Sequence, residues 1–348
     1  MRSFDYRWLE DCLWDGEVVS LVSQIHEYKG RQDLFVSQRP NSVARLMDIA
    51  KVQSVESSNR IEGIVTTKAR IRSLVADKVM PRNRDEEEIM GYLDVLNTVH
   101  ENYEYIELTR QIVLQLHRDL YAYSHKGIGG QFKNVQNSII ERLADGYERE
   151  RFRPLAPYET PTAIDEICQG VNAVIQDKSV DPLLVIPVFI HDFLCIHPFN
   201  DGNGRMSRLL MTLLLYQNGY MIGKFISLEQ KIECTKDSYY AALVQSGAGW
   251  HTGDEDVVPF VKYMLRVILA AYRDFESRIE LLTTSLSAKD RIKIIISATI
   301  GKITKSGILE KQPDIAISTV EKALKELVEE GFIERHGVGR STFYVKVS

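Results

Sequence analysis

The amino-acid sequence predicts a mainly α-helical protein with one small β-hairpin, followed by a C-terminal unit of helices and short strands. Three observations carry that prediction. Apolar residues recur three and four apart from the start of the chain to about residue 285, as in Val43 to Ile61, Glu87 to Val99 and Gln111 to Leu120, which is the spacing of helices with one buried face. One segment, Gly127 to Tyr147, departs from that rhythm: three glycines precede the sparse apolar series Phe132, Val135, Ile139, and Asp145-Gly146 sits in a polar turn, a strong local hairpin signal. The last sixty residues change pattern again.

In order along the chain, residues 1–105 read as an N-terminal helical region. Residues 106–285 read as a core containing the hairpin, which spans about 128–147. After the hairpin, Arg153-Pro154-Leu155-Ala156-Pro157 and Pro161 form a connector that returns the chain to helix near Ala163. Residues 286–348 run helix, helix, Gly331 to Arg335, a glycine turn at Gly337-Val338-Gly339 and a strand from Ser341 to Val347. That is the pattern of a winged helix-turn-helix, with Ser318 and Thr319 expected to cap the second helix, which would run to about Glu330, and the glycine turn as the wing.

Composition narrows the function. The chain has 348 residues, 44% hydrophobic and 26% charged, as expected of an ordinary soluble protein of two or three domains. It has 43 Lys and Arg against 48 Asp and Glu, a formal net charge of −5, which argues against broad coating of nucleic acid, since that affinity comes from neutralising phosphates. From Ala288 onward there are 11 basic and 8 acidic residues. The second tail helix carries Lys322 and Lys325, and the wing Arg340, but Glu321, Glu326, Glu329 and Glu330 share the helix. A protein-docking or dimer-supporting tail is therefore favoured over DNA binding. Cys12, Cys168, Cys195 and Cys234 form no CxxC pair, so they read as reduced thiols in a cytoplasm rather than a disulfide or zinc framework. The N-terminal MRSFDYRWLEDCLWDG lacks the apolar run of a signal peptide, and the longest apolar stretch, Leu183 to Ile190, is too short to cross a bilayer. No membrane partner is expected.

The chemistry concentrates in Ile196-His197-Pro198-Phe199-Asn200-Asp201-Gly202-Asn203-Gly204-Arg205-Met206-Ser207-Arg208. Gly202 and Gly204 permit unusual backbone angles and expose amides just before a helix starts, a ready anion site. Arg205 and Arg208 lie three apart, where both can reach one polyphosphate. Asp201 can hold a Mg2+ whose shell phosphates complete. His197 is the loop's only group that titrates near neutrality, hence its candidate base or acid. His26, His100, His117, His125, His251 and His336 are expected to be ordinary surface or core histidines, and His191 is six residues from His197, which argues against a shared metal. Tyr239-Tyr240 reads equally as a core pair or an adenine contact.

HPFNDGNGRMSR resembles the motif HPFx(D/E)GNGRxxR of the Fic (filamentation induced by cAMP) family at every fixed position. The likeness covers residues 35 to 275 and includes Ile226 to Glu229, Tyr239 to Leu243 and Trp250. It implies a helical Fic domain with a flap hairpin that docks an extended protein target, and transfer of AMP from ATP to a Ser, Thr or Tyr hydroxyl. By the same resemblance, His197 is the base, Asp201 holds Mg2+, and Asn203 orients the α-phosphate. The amides at Gly202 and Gly204 receive charge, and Arg205 and Arg208 grip the β and γ end. Upstream, Ser58, Glu62 and Gly63 match the family's inhibitory pattern (S/T)xxxE(G/N), on a helix of about 43–62. Ser58 and Glu62 share a helical face, and Gly63 can end the helix. The resemblance implies that Glu62 pairs with Arg208 and restrains the enzyme. It leaves open removal of AMP with Glu62 aligning water, a DNA-binding regulator whose core senses nucleotide, and whether the chain forms a homodimer.

Overall fold

The computed structural model describes residues 4–38, 40–76, 79–142, 148–283, 287–299, 301–312 and 315–347. The chain separates into two compact units. One comprises residues 1–31 and 50–272, the other residues 32–49 and 273–348.

The first unit is built on helices α1 (Gly16–Gln38) and α2 (Pro40–Ile61), which both extend into it, then α3 (Lys68–Ala76), α4 (Arg84–Asn102) and α5 (Arg110–Leu120). Strands β1 (Ile139–Arg142) and β2 (Glu148–Phe152) follow, then α6 (Thr160–Asp177), α7 (Pro182–Ile196), α8 (Asn203–Gln217), α9 (Leu228–Cys234), α10 (Lys236–Gly247) and α11 (Val258–Thr283), whose first part belongs here. Its centre is α7, packed between α6 and α8. Apart from the buried His191 and Asp192, α7 is apolar all round, as an enclosed helix is, and Val185, Val188, Phe189 and Phe193 have no exposed surface. Each such side chain contributes about 1.5–3 kcal/mol. Asp181 starts α7 by accepting the Leu183 amide at 2.8 Å, and Pro182 occupies its first turn. α8 packs its buried leucines against α7 and α4.

The hairpin falls later than the sequence suggests. β1 and β2 are antiparallel, with Ile139 opposite Phe152 and Arg142 opposite Glu148, and an irregularity after Ile139. The expected Asp145-Gly146 turn lies outside the described residues. Gly127 to Asn137, expected to begin the hairpin, is irregular chain clamped to the core. Gly127 and Gly130 hold positive φ of 65° and 72°. Lys133 donates its amide to the Pro198 carbonyl at 2.8 Å, and Phe132 stacks on Phe199. The alternation of Phe132 and Val135 is therefore anchoring and exposure along a loop, not a strand.

The second unit contains α12 (Ala288–Ala298), β3 (Lys302–Ile303), α13 (Lys305–Lys311), α14 (Ile317–Glu329), β4 (Ile333–His336) and β5 (Phe343–Lys346). The sheet runs β3-β5-β4, all antiparallel, with Ile303 opposite Tyr344 and His336 opposite Phe343. Ile292, Ile296, Ile308, Val320, Leu324 and Leu327 form its core. The expected caps Ser318 and Thr319 do not cap α14. Ala316 is the N-cap and makes no side-chain bond, because the helix begins one residue before Ser318 and both hydroxyl residues fall inside its first turn.

Candidate active site

The site is assembled where α7 ends and α8 begins. His197 caps α7 with left-handed backbone angles, φ 52° and ψ 63°, while its amide still bonds the Phe193 carbonyl at 2.9 Å. Left-handed geometry at a residue other than glycine is uncommon, and here it turns the chain sharply out of the helix. The next turn is made by Gly202, φ 84°, immediately before α8. Asn203 fixes the loop between them: its Oδ1 accepts the Phe199 amide at 2.9 Å and its Nδ2 donates to the Phe199 carbonyl at 2.8 Å.

Two residues from outside the loop hold it from behind. His117 on α5 lies flat on Phe199, with ring centroids 3.6 Å apart and planes 1° from parallel. Its Nδ1 accepts the Gly130 amide at 3.0 Å, so its Nε2 carries the proton and donates to the Asp201 carbonyl at 3.1 Å. Burial pushes this imidazole down to about 4. His117 is thus a satisfied core histidine, as expected from the sequence. Lys133 is buried and donates its ammonium to the Ile196 carbonyl at 2.8 Å, closing the C-terminus of α7. Burial lowers its pKa to about 8.

His197 faces a cavity of about 380 Å³ that Glu62, Gly204, Arg208, Tyr239 and Tyr240 also line. Its Nδ1 lies 3.3 Å from the Leu194 carbonyl, which leaves Nε2 as the basic nitrogen. Burial lowers the pKa to about 4, against the raising effect of that carbonyl, so the imidazole is neutral at pH 7. A neutral imidazole aimed into a cavity can accept a proton. Tyr239 is a core residue that also reaches the cavity. It is buried against Phe260 and Tyr263 and also forms cavity wall beside Tyr240.

Among the described residues, the two arginines of α8 share no partner. Arg208, only 2% exposed, turns to α2. It donates Nε to Ser58 Oγ at 2.8 Å, and Nη2 to the Ser58 carbonyl at 2.9 Å and to Glu62 Oε1 at 2.8 Å. Arg205, 1% exposed, turns to α4 and α5: Nη2 meets Glu88 Oε2 at 2.8 Å and donates to the Tyr121 hydroxyl at 2.7 Å. Its Nε and Nη1 are buried without a hydrogen-bond partner among the described residues, an unusual state that an anionic ligand would relieve.

Glu62 reaches Arg208 because of how α2 stops. The Gly63 amide bonds the Arg60 carbonyl at 3.0 Å and the Ile64 amide bonds the Asn59 carbonyl at 3.0 Å, with Gly63 at φ 80°. This paired pattern around a left-handed glycine is a Schellman motif, with Glu62 as the last half-helical residue. Lys236 donates to the Ile61 carbonyl at 2.8 Å, and Arg60 pairs with Glu233 at 2.9 Å. Both contacts fasten the end of α2 to α9 and α10.

Asp201 is half-exposed. Its Oδ1 accepts the Gly202 amide at 2.7 Å and its Oδ2 meets the Lys126 ammonium at 2.6 Å. Burial opposes its ionisation, but Lys126 and Arg205 hold the carboxyl below its ordinary pKa. Among the described residues no cluster of three or more His, Cys, Asp or Glu side chains could hold a metal. A single carboxylate still fits Mg2+, which keeps most of its shell for water and phosphate oxygens. Glu88, Tyr121, Lys126 and Lys133 were not singled out from the sequence. Each is an isolated residue far along the chain from the loop, and no local spacing marks it.

Residues 107–215 match the Fic/DOC family. In sequence the chain is 25% identical over 255 residues to protein adenylyltransferase fic-1 of Caenorhabditis elegans, covering 71% of this chain and 45% of that protein. It is 26% identical over 322 residues to protein adenylyltransferase Fic of Drosophila melanogaster, covering 89% and 58%. The chain spans about half the length of these curated relatives. In fold it is similar to a Fic family protein from Desulfovibrio desulfuricans G20, with a TM-score of 0.63 and 20% identity over 97% of this chain and 98% of that one. Residues 134–508 of Fic-1 from C. elegans give a TM-score of 0.59 at 19% identity, covering 76% and 74%. Among the described residues no helix is long and apolar enough to cross a membrane. The motif loop, the cavity it faces and these likenesses together identify residues 107–215 as a Fic domain.

Proposed function

We propose that the chain is a protein adenylyltransferase restrained by its own Glu62. The observation that carries this reading is the 2.8 Å pair between Glu62 and Arg208, formed in the wall of the cavity that also holds His197. The relatives' names, protein adenylyltransferase, support the same activity.

In the proposed reaction, a Ser, Thr or Tyr hydroxyl of a target protein enters the cavity and gives its proton to His197 Nε2. Its oxygen bonds the α-phosphorus of ATP, and the bond from that phosphorus to the bridging oxygen breaks, so pyrophosphate leaves. Burial keeps His197 neutral and ready for this proton. Asn203 and the amides at Gly202 and Gly204 would position the α-phosphate, and Arg205 and Arg208 the β and γ end, so that most of the acceleration comes from placement and fixed charge. Asp201 would hold Mg2+, which when bound neutralises phosphate charge. The β1–β2 pair offers an edge for an extended target segment, a mode with little sequence preference.

Glu62 would restrain the reaction by occupying the guanidinium meant for the γ-phosphate. A second reading draws on the same geometry. Because Glu62 and His197 line one cavity, Glu62 could instead align a water that removes AMP from a modified protein. The order α14, β4, β5 in the tail supports a winged helix, and the acidic residues of α14 favour protein docking over DNA. The test is incorporation of α-labelled ATP into the protein and into lysate by wild type, Glu62→Gly, and Glu62→Gly with His197→Ala. Label that rises in the single variant and vanishes in the double supports the reading. No label in any of the three overturns it.

A further inference from the structure

Lys126 occupies an unusual position. Its ammonium lies 2.6 Å from Asp201 Oδ2 and 2.8 Å from Glu88 Oε1, bridging one half-exposed carboxylate and one buried one. Glu88 in turn holds Arg205 at 2.8 Å through its other oxygen. The charges therefore alternate across four side chains, Asp201, Lys126, Glu88 and Arg205, and two different helices plus two loops supply them. Lys126 lies in a turn and is 21% exposed, while Glu88 is only 3% exposed, so the lysine is the more accessible partner and the glutamate the more enclosed one.

On the reading that Asp201 is the metal carboxylate, we propose that Lys126 is an internal counter-cation that competes with free divalent metal at Asp201. A metal arriving alone must displace an ammonium already within contact distance of that carboxylate, and the displaced lysine gains nothing in return. A metal arriving on a polyphosphate brings negative charge that the freed ammonium and Arg205 can both meet, while Glu88 keeps the lysine from swinging away. Lys126 thus makes the site selective for a metal–nucleotide complex over free metal, and it leaves Asp201 with a cation partner whenever nucleotide is absent. Glu88 acts as a positioning residue for both cations.

The probe is Mn2+ alone, titrated into the full chain without nucleotide and read as loss of the free-ion electron paramagnetic resonance signal. Removing the competing charge with Lys126→Met should tighten Mn2+ binding by about tenfold or more. Lys126→Arg, which keeps the charge, should bind as wild type does, and adding Asp201→Asn to Lys126→Met should erase the gain. Should the methionine variant lose its cooperative melt, Lys126→Gln makes the same prediction with a polar side chain. Unchanged or weaker Mn2+ binding in the charge-removing variant overturns the proposal, as does a gain that survives Asp201→Asn. Metal uptake is read without any transfer of AMP, so failure here is distinguishable from failure of the proposed reaction.

Discussion

Glu62 and Arg208 meet at 2.8 Å over the first turn of α8, in space left open because residue 204 has no side chain: a Cβ there would lie 2.2 Å from Glu62 Oε1. A gap of that size cannot be absorbed without moving the carboxylate. Gly204→Ala should therefore push the carboxylate off Arg208 and destabilise the protein by about 1 kcal/mol, the low end for overpacking, because the crowded atoms are the far end of a flexible, partly exposed side chain. Most of that loss should disappear when Glu62→Gly is added, because Glu62 supplies the two shortest contacts. Chemical denaturation of the two single variants and the double gives the coupling directly. Additive effects would mean that the crowding comes from elsewhere in α8.

If Glu62 restrains transfer as proposed, the clamp on the end of α2 predicts graded release. Lys236→Ala removes the ammonium from the Ile61 carbonyl but touches neither Arg208 nor His197. Incorporation of α-labelled ATP should rise above wild type, where a shift of only about 1.4 kcal/mol toward the released state is a tenfold change in population. Activity in a Glu62→Gly background should not change when Lys236→Ala is added. A further rise there would place Lys236 in the reaction itself.

Gly63→Ala should act on the same equilibrium in the same direction, through the cap itself. An alanine at φ 80° costs about 1–2 kcal/mol, and the last turn of α2 can escape that strain only by fraying. Amide hydrogen exchange should quicken at Gly63 and Ile64, whose bonds to Arg60 and Asn59 form the cap. Unchanged exchange would show that the cap does not depend on the glycine.

Acid should loosen the loop through His117. Its pKa is about 4 in the folded protein against a reference of 6.5, so between those values the unfolded chain binds more protons. The stability tied to its neutral form is intact above pH 6.5 and is lost as the pH falls toward 4. At 1.36 kcal/mol per pKa unit the loss is at most about 3 kcal/mol. His117→Gln should lower the melting temperature at pH 7.5 yet flatten its decline between pH 6.5 and 4. An equally steep decline in that variant would assign the acid sensitivity to other groups, such as His100, whose burial lowers it to about 3.

Legibility in the sequence followed contiguity. The loop from His197 to Arg208 was readable because its chemistry lies in twelve consecutive residues, and Ser58, Glu62 and Gly63 were readable because a helix face and a helix stop have fixed spacing. Helices such as α7 announced themselves by composition. The hairpin was misplaced because glycines and scattered aromatics look alike whether they turn a strand or anchor a loop. Lys133 and Phe132 decide the matter through contacts with Pro198, Ile196 and Phe199 that no local pattern encodes. The same reason hid Glu88, in a run of three glutamates of which tertiary packing buries two, Glu86 against Arg70 and Glu88 against Arg205. The spacing of Arg205 and Arg208 lets both reach one polyphosphate, but the partners each takes without it, Glu88 and Tyr121 or Ser58 and Glu62, are set by packing on either side of α8.

α7 ends at Ile196 and α8 starts at Asn203, so six residues, 197 to 202, separate the carbonyl pole of one helix from the amide pole of the next. Opposite fields thus terminate on one short loop. A proton taken up by the imidazole would sit against the negative pole, while charge gathering on a phosphate would sit against the positive one. Both displacements run downhill along a single covalent segment, and no hinge separates them. Inserting one residue between Phe199 and Gly202 would leave both helices standing and yet unwire the two ends of that gradient from each other.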